Sequence, residues 1–376
     1  MNSNLAGVRF NVLDSFRGLS ALFVVFFHMN IAGTMTQTSF LKKSDVFVSF
    51  FFILSGFVLS HGYLYKKISF KKFFLSRLIR IYPLHFVFLI AFLCIEILKY
   101  VLFNFYGMSF SNVPFEGGNT IEDLLLNSIL LHSWVPEISH SSFNYPSWSI
   151  SVEFYIYLFF FLFLVMMNNM NFCKYFLLFI SFVLLPIFYY CFFFLELNVI
   201  NKYVDQGIVC FSLGFFIYRL RERLVLKCTL CSTILEVVLL LFIYMSVESY
   251  TAYFYIPIFG LCVFVFSYEC GFLSKYLFKD RIFIYIGKIS YSIYMTHVFV
   301  ISIAIFLSVF IGKMLNVDLF LFESGVRVLN FGGTVLNNFV LFFLVLAILC
   351  LSHFTWKYVE IRGSQYLRSK LLIEER

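Results

Sequence analysis

The sequence LDSFRGLSALFVVFFH, residues 13–28, places three ionisable side chains in an otherwise apolar segment. Arg17 and His28 are eleven residues apart. Because an α-helix turns about 100° and rises about 1.5 Å per residue, the two share one face and lie roughly 16 Å apart along the axis. Asp14 precedes Arg17 by three residues, a spacing suited to an ion pair. Ionisable groups are costly in hydrocarbon, so the stretch predicts a polar path through a membrane helix rather than a plain anchor.

The composition of the whole chain predicts many membrane spans. Of its 376 residues 61% are hydrophobic and 13% are charged, whereas a soluble domain carries about a quarter charged residues. A span needs about 20 mainly apolar residues. Ten segments meet this criterion, at roughly 11–31, 46–65, 82–102, 147–167, 175–196, 203–219, 231–248, 251–269, 282–310 and 333–356. We therefore expect an all-α, polytopic transmembrane helix bundle in which residues 1–376 form a single membrane-embedded domain.

The distribution of basic residues predicts the orientation of these spans. The net charge is +8, but the charge is concentrated in alternate connections and in the C-terminal tail, which is not the pattern of a nucleic-acid-binding protein. Cytoplasmic loops of membrane proteins carry the excess of lysine and arginine. Both termini are therefore predicted to be cytoplasmic. The basic clusters are Lys66, Lys67, Lys71, Lys72, Arg77 and Arg80; Arg219, Arg221, Arg223 and Lys227; Lys275, Lys279 and Arg281; and Lys357, Arg362, Arg368, Lys370 and Arg376.

The longest polar interval, about residues 103–146, lies outside the cell by this topology. Within it, residues 124–134 are too few to cross and indicate an interfacial or re-entrant helix. The interval is either a folded external cap or a lid that binds the acceptor. Elsewhere, Cys228 and Cys231 form a lone C-x-x-C without a second pair or a nearby histidine, so no metal site is predicted.

His28 and the pair Arg77 and Arg80, the latter at the predicted cytoplasmic mouth of the third span, suggest chemistry. His28 is a candidate general base, because imidazole titrates near neutrality, although a lone histidine in a helix is often a packing residue. Asp14 lies too far along the helix to orient the His28 ring. We expect it to position Arg17 and to take no part in catalysis. Arg77 and Arg80 are three residues apart on one helical face, a fork suited to phosphate oxygens. Topogenic or lipid-headgroup contact is the alternative for this pair.

The stretch YPSWSISVE, residues 145–153, opens the fourth predicted span. Trp148 is expected to anchor at the membrane interface. Glu153 then enters the apolar region with no basic neighbour in sequence and needs a partner from another helix. His28 is at similar depth in the predicted topology and is the candidate partner.

A further stretch, SYSIYMTH at residues 290–297, places hydroxyls and an imidazole inside the ninth predicted span. Tyr294 and His297 are three residues apart on one helical face. Hydrogen bonding between helices is the alternative to a functional role. Residues 52–57, FILSGF, form a small-residue notch that favours close helix packing over contact with substrate.

Taken together, these stretches resemble the acyltransferase-3 family of integral membrane acyltransferases. That family typically shows L-D-x-x-R-G with R-x10-H, then S-G-F, R-x-x-R-x-Y-P, P-x-W-S-L-S-x-E and S-Y-S-I-Y-x-x-H. The same elements occur here in the same order, between Leu13 and about Glu360. Each motif is weak alone, whereas five in order across ten predicted spans are specific.

The resemblance implies roles for the residues that match the motifs. It also shows departures, since Ile150 replaces the usual leucine and Glu360-Ile361-Arg362 replaces an E-x-P element, so no role is assigned to Glu360. The chain is expected to lack the C-terminal soluble esterase-like domain that some members carry. The candidates are His28, Arg17 and Glu153 for catalysis, Arg77 and Arg80 for coenzyme A, and Asp14, Trp148, Ser149, Ser151, Tyr294 and His297 for substrate contact or support.

The activity that the resemblance implies is O-acetyl transfer from cytoplasmic acetyl-coenzyme A to a sugar hydroxyl of an envelope glycan. The acceptor would be lipopolysaccharide O-antigen, a similar polysaccharide or a lipid-linked precursor, at a bacterial cytoplasmic (inner) membrane. Acetyl-coenzyme A would be a substrate, and no tightly bound cofactor or metal is expected. His28 would act as general base or accept the acetyl group itself. The competing class is a proton-coupled transporter or glycan flippase, because buried ionisable residues also line such proteins.

Overall fold

The fold is built almost entirely of helices. The computed structural model describes residues 9–110, 112–135, 141–169, 201–249, 254–323 and 325–371. Within these ranges six helices are long and apolar enough to cross a membrane. The all-α class and the membrane character expected from the sequence are therefore confirmed.

The described elements follow one another in chain order. The long apolar helices are α3 (Phe47–Tyr63), α4 (Phe70–Tyr106), α6 (Ser147–Asn169), α8 (Thr229–Ser249), α11 (Ser290–Leu315) and α12 (Thr334–Thr355). The others are α1 (Asn11–His28), α2 (Ser39–Lys42), α5 (Ile121–Ser128), α7 (Lys202–Arg221), α9 (Tyr255–Phe266), α10 (Arg281–Lys288) and α13 (Ser364–Leu371). Two π-helical turns cover Leu273–Phe278 and Trp356–Gly363, and 3₁₀ turns cover Met35–Gln37 and Ser44–Val46.

A two-stranded hairpin between α11 and α12 fastens the chain that follows α1. Strands β1 (Phe320–Glu323) and β2 (Val326–Leu329) pair antiparallel, with Phe320 opposite Leu329. The Leu329 N–H donates to the Asn30 carbonyl at 2.9 Å, and the Leu329 carbonyl accepts from the Ala32 N–H at 2.9 Å. The amide of Asn337, on α12, donates to the Ala32 carbonyl at 2.9 Å. The backbone just beyond His28 is therefore held by residues from the last part of the sequence.

Helices α3 and α7 pack through facing glycines. A Cβ on Gly56 would overlap the Phe211 carbonyl, and one on Gly214 would overlap the Ile53 carbonyl. Small residues allow helix backbones to approach closely in membranes. The close packing predicted for the notch at residues 52–57 is confirmed at Ile53 and Gly56.

A second glycine contact fixes α1 against α10. A Cβ on Gly287 would overlap the Asp14 carbonyl oxygen, and one on Gly18 would lie 2.6 Å from the Gly287 nitrogen. Real side chains cannot occupy that space without moving the backbone. Because of this contact, the face of α1 that carries Arg17 lies next to the start of α11.

Helix α4 continues through Pro83, although proline lacks the N–H that would bond to the carbonyl four residues earlier. That carbonyl belongs to Ile79, and it accepts instead from the Ser364 hydroxyl at 3.1 Å. The Tyr291 hydroxyl donates to the nearby Ile81 carbonyl at 2.7 Å. Neighbouring hydroxyls of this kind make an intramembrane proline tolerable, and here they tie α4 to α11 and α13.

The predicted span 282–310 is divided in the structure. Helix α10 ends at Lys288, Ile289 has ψ of 5°, and α11 starts at Ser290. Asp280 caps α10 by accepting from the Ile282 N–H at 2.8 Å. This cap and the close contact of Gly287 with α1 account for the break between α10 and α11. Hydropathy alone does not reveal this break.

Other predicted boundaries also change. The predicted span 82–102 lies within α4, which has 37 residues. The predicted span 251–269 contains the 12-residue helix α9. The short helix expected at 124–134 is α5, which starts earlier because Thr120 and Asp123 form a capping box. The polar interval expected from 103 begins after Tyr106, where α4 ends. The predicted span 175–196 lies outside the described residues.

Candidate functional site

Several of the predicted site residues line one cavity of about 480 Å³. Its walls come from α1, α3, α4, α6 and α11, together with the junction of α10 and α11 and the π-helical turn after α12. Predicted residues among its lining are Asp14, Arg17, Arg77, Arg80, Ser149, Glu153 and Tyr294. Asp14, Glu153 and Tyr294 are far apart in sequence, so the fold alone brings them together.

The cavity has a charged end and an apolar end. Along α3 it is lined from Val48 through Ser55 to Leu59, a path of roughly 16 Å at the helical rise of about 1.5 Å per residue. The apolar end is formed by Val48, Phe51, Phe52, Ile150 and Tyr294. The charged end, called here the arginine end, is formed by Arg9, Arg17, Arg80 and Lys288 with Asp14 and Glu360.

Arg17 is held rigidly at the arginine end. Its Nη2 lies 2.8 Å from the Asp14 carboxylate, which also pairs with Arg9 at 2.8 Å. Its Nε donates to the Ser290 hydroxyl at 3.0 Å, and its Nη2 donates to the Gly287 carbonyl at 3.2 Å. The ion pair predicted from the spacing of Asp14 and Arg17 is confirmed. A guanidinium fixed in this way presents a preformed cation to the cavity.

Arg77 and Arg80 both line the cavity but have different surroundings. Arg77 donates to the Tyr63 hydroxyl at 3.0 Å, and its guanidinium lies 5.4 Å and 5.8 Å from the ring centres of Tyr63 and Tyr157. Arg80 is exposed, lines the cavity and interacts electrostatically with Arg17 and Glu360. Of the two, Arg80 is the better placed to meet an anionic ligand.

Glu153 has a partner other than the predicted one. Its Oε1 accepts hydrogen bonds from the Ser55 hydroxyl on α3 and from the Tyr157 hydroxyl one turn further along α6. The expected pairing with His28 is wrong, because α3 rather than the end of α1 lies beside this turn of α6. Glu153 contributes a hydrogen-bonded carboxylate to the middle of the cavity.

Glu360 belongs to the cavity although no role was predicted for it. It lies in the turn Trp356–Gly363, accepts from the Ser292 hydroxyl and interacts electrostatically with Arg80 and Arg17. The sequence did carry a signal for Glu360. This carboxylate follows the last apolar segment, on the predicted cytoplasmic side where Arg77 and Arg80 also lie. The missing proline of the E-x-P element does not remove Glu360 from the site.

The stretch 145–153 divides between the cavity and the packing around it. Ser149 and Glu153 face the cavity, whereas Trp148 is buried against Phe52 and Tyr203, with ring centres 6.2 Å and 4.8 Å away. The expectation that Trp148 anchors at the membrane interface is therefore wrong. The Ser151 hydroxyl donates to the Leu130 carbonyl at 2.5 Å and accepts from the Ser133 N–H at 3.3 Å. Ser151 thus holds the preceding loop and does not line the cavity.

His28 and His297 form a separate pair, called here the histidine pair. Their ring centres are 5.2 Å apart, and Tyr145 packs on His28 at 5.2 Å. The His297 Nδ1–H donates to the Tyr294 carbonyl at 2.7 Å. Among the described residues its Nε2 has no hydrogen-bond partner, although the side chain is fully buried. This arrangement leaves an imidazole lone pair available for a proton.

Tyr294 separates the cavity from the histidine pair. Its ring lines the cavity, lies 5.8 Å from the His297 ring and meets Phe51 edge-on at 5.7 Å. Its hydroxyl bonds to the Ser149 hydroxyl at 2.8 Å and donates to the Pro146 carbonyl at 3.1 Å. Arg17 and His28 both lie on α1, but Arg17 lines the cavity and His28 packs in the histidine pair.

Residues 10–357 match a protein family described as an acyltransferase domain. Because the match covers nearly the whole chain and the fold is that of an integral membrane protein, the class is a membrane acyltransferase. The protein belongs to the acyltransferase-3 family, as the motifs indicated.

Two curated relatives match part of the chain. "Acyltransferase MdmB" of Streptomyces mycarofaciens is 36% identical over 29% of this chain, and "Protein 2 in picA locus" of Rhizobium radiobacter is 40% identical over 25% of it. The matched regions span 26% and 49% of the lengths of these relatives. No solved structure matches the chain significantly.

Proposed function

We propose that this protein transfers an acetyl group from cytoplasmic acetyl-coenzyme A to a sugar hydroxyl of a cell-surface glycan, at the bacterial inner membrane. The acceptor class is O-antigen, a similar envelope polysaccharide or a lipid-linked precursor. The observation that carries the proposal is the cavity, whose arginine end and apolar end match the two ends of an acyl thioester of a phosphorylated carrier. A soluble phosphorylated donor comes from the cytoplasm, where the positive-inside rule places the arginine end.

The arginine end would bind the phosphates of the donor. Arg17, Arg80 and Lys288 supply the cations, and guanidinium groups suit phosphate oxygens. Asp14 and Glu360 keep Arg17 and Arg80 oriented while the donor is absent. A linear arm would then run along the α3 wall, past Glu153, and bring the acyl group to the apolar end.

His28 would carry the chemistry on the other side of Tyr294. As a general base, its imidazole takes the proton of the sugar hydroxyl while that oxygen attacks the thioester carbonyl; the C–S bond breaks and the imidazolium returns the proton to the thiolate. As a nucleophile, it first becomes acetylated and releases the thiol, and the sugar oxygen then attacks the acetyl-imidazole. His297 lies against His28 and would orient it.

The proposal is tested with purified protein and cells. With acetyl-coenzyme A and glycan supplied, coenzyme A should be released, and surface glycans from cells expressing the protein should gain one acetyl increment per repeat by mass spectrometry. Acetyl-His28 trapped from the donor alone would favour the covalent route. Glycan translocation without coenzyme A release would instead identify a transporter and overturn the proposal.

A further inference from the structure

The donor cavity and the histidine pair lie on opposite faces of a thin partition. His28 and His297 are absent from the cavity lining, whereas Tyr294, one turn before His297 on α11, is part of it. Tyr294 therefore lies between a thioester at the apolar end and the histidine pair. Transfer from the cavity to His28 would need Tyr294 to move.

The partition is held by hydrogen bonds at its outer edge. Tyr294 bonds to the Ser149 hydroxyl and to the Pro146 carbonyl, and both Tyr294 and Ser149 are buried. These contacts come from one short stretch, Tyr145 to Ser149, whose first residue packs on His28. The stretch thus contacts the closed partition at one end and the histidine pair at the other.

We propose that Tyr294 is a selectivity gate that reserves the acyl group for the correct acceptor and keeps it from water. The proposal rests on the proposed function, in which the cavity holds the thioester. An acceptor that binds against Tyr145 displaces residues 146–149, the Tyr294 hydroxyl leaves Ser149, and the thioester carbonyl becomes accessible to His28. Without acceptor the gate stays shut. Premature opening would let water attack that carbonyl, with cleavage of the C–S bond, to give acetate and coenzyme A.

The gate predicts a specific loss of coupling. Tyr294→Phe keeps the ring and removes the hydroxyl, and Ser149→Ala removes the partner. Each variant should hydrolyse acetyl-coenzyme A without acceptor at least about five- to tenfold faster than the wild type, the population shift expected for the Tyr294–Ser149 hydrogen bond that both variants lose. If the wild type consumes acetyl-coenzyme A in the presence of acceptor, unchanged hydrolysis in both variants would overturn the proposal.

A labelling experiment tests the gate without any acyl transfer. Cysteine replaces Ser55, which lines the cavity on its α3 wall, and sealed vesicles of known orientation receive a membrane-impermeant maleimide on the extracytoplasmic side. Mass spectrometry resolves this site from the native cysteines. Labelling should be slow with Tyr294 intact and about five- to tenfold faster with Tyr294→Phe.

Tyr291→Phe is the matched control. It removes the hydroxyl of a half-buried tyrosine from the same helix and the same cavity, but this hydroxyl bonds to the Ile81 carbonyl and not at the partition. It should leave extracytoplasmic labelling at the wild-type rate. If labelling changes as expected while acetyl-coenzyme A is never consumed, the gate stands and the proposed donor is wrong. Equal labelling with and without the Tyr294 hydroxyl overturns the gate even where transfer is observed.

Discussion

The arginine end of the cavity and the histidine pair are built in opposite ways. Arg17 has an ion pair and two further hydrogen bonds, all supplied by α1 and the α10–α11 junction. The histidine pair has one described hydrogen bond, from His297 Nδ1, and a buried Nε2 without a partner among the described residues. A guanidinium held by an ion pair and two hydrogen bonds suits recognition of a fixed anionic shape, whereas His297, beside His28, keeps an imidazole nitrogen without a partner among the described residues. The first region should therefore govern donor affinity and the second the rate of the chemical step.

The sharpest test of this division is His28→Gln, which keeps a polar side chain and removes the base. It should lower kcat for coenzyme A release in the presence of acceptor by about 10²- to 10⁴-fold, the usual contribution of a positioned acid–base group, with little change in the KM for acetyl-coenzyme A. His353→Gln is the matched control, because His353 pairs with Tyr285 away from the cavity. Retained turnover in His28→Gln would abolish the distinction between the two regions.

Arg17→Lys probes the other region. A lysine keeps the charge but cannot reproduce the fork that reaches Asp14, Ser290 and Gly287 together. The KM for acetyl-coenzyme A should rise by about tenfold to a hundredfold, from the loss of one or two charge-assisted hydrogen bonds, with kcat changed much less. Arg281→Lys, at the exposed start of α10, serves as control in the same steady-state assay. An effect confined to kcat would show that Arg17 acts on the reaction and not on the donor.

Gly287→Ala disturbs the scaffold of the arginine end without touching a charge. The added methyl would overlap the Asp14 carbonyl, and overpacking of this kind typically costs about 1–3 kcal/mol. Thermal unfolding in detergent should show a lower Tm, and the KM for the donor should rise with it. Gly62→Ala, where a Cβ meets nothing within 4 Å, should leave both unchanged or raise the Tm. An unaffected Tm in Gly287→Ala would mean that the α1–α10 contact is looser than the structure indicates.

The smallest effect is expected at the gap that Pro83 leaves in α4. Ser364→Ala removes the donor to the Ile79 carbonyl and should destabilise the protein by about 1 kcal/mol. In a Pro83→Ala background the backbone N–H is restored, so the same substitution should cost almost nothing. A double-mutant cycle on thermal unfolding measures this coupling. Purely additive effects would show that Ser364 does not serve the proline gap.

The sequence was most informative where residues lie on one helix. The spacing of Asp14 and Arg17 predicted their ion pair. The spacing of Arg77 and Arg80 predicted a shared helical face, and both residues line the cavity. Helical periodicity decides such relations locally, so they need no knowledge of the fold. The order of the motifs along the chain likewise sufficed to indicate the family.

Relations between helices could not be derived in this way. Glu153 bonds to Ser55 because α3 lies beside α6 at that turn, and depth in a predicted topology does not specify the neighbouring helix. Glu360 reaches Arg80 across most of the chain length. The break before Ser290 depends on the seat of Gly287 against α1, and the burial of Trp148 depends on Tyr203. Each of these is decided by packing partners distant in sequence.

The hairpin contact beyond α1 has a consequence for biosynthesis. Asn30 leaves the ribosome long before Leu329, yet the two bond in the folded protein. The backbone after His28 therefore waits unpaired while the intervening helices are inserted, and His297 too is translated long after His28. A nascent chain stalled before the hairpin would be integrated but inert, so the enzyme would acquire reactivity only after the hairpin has been made.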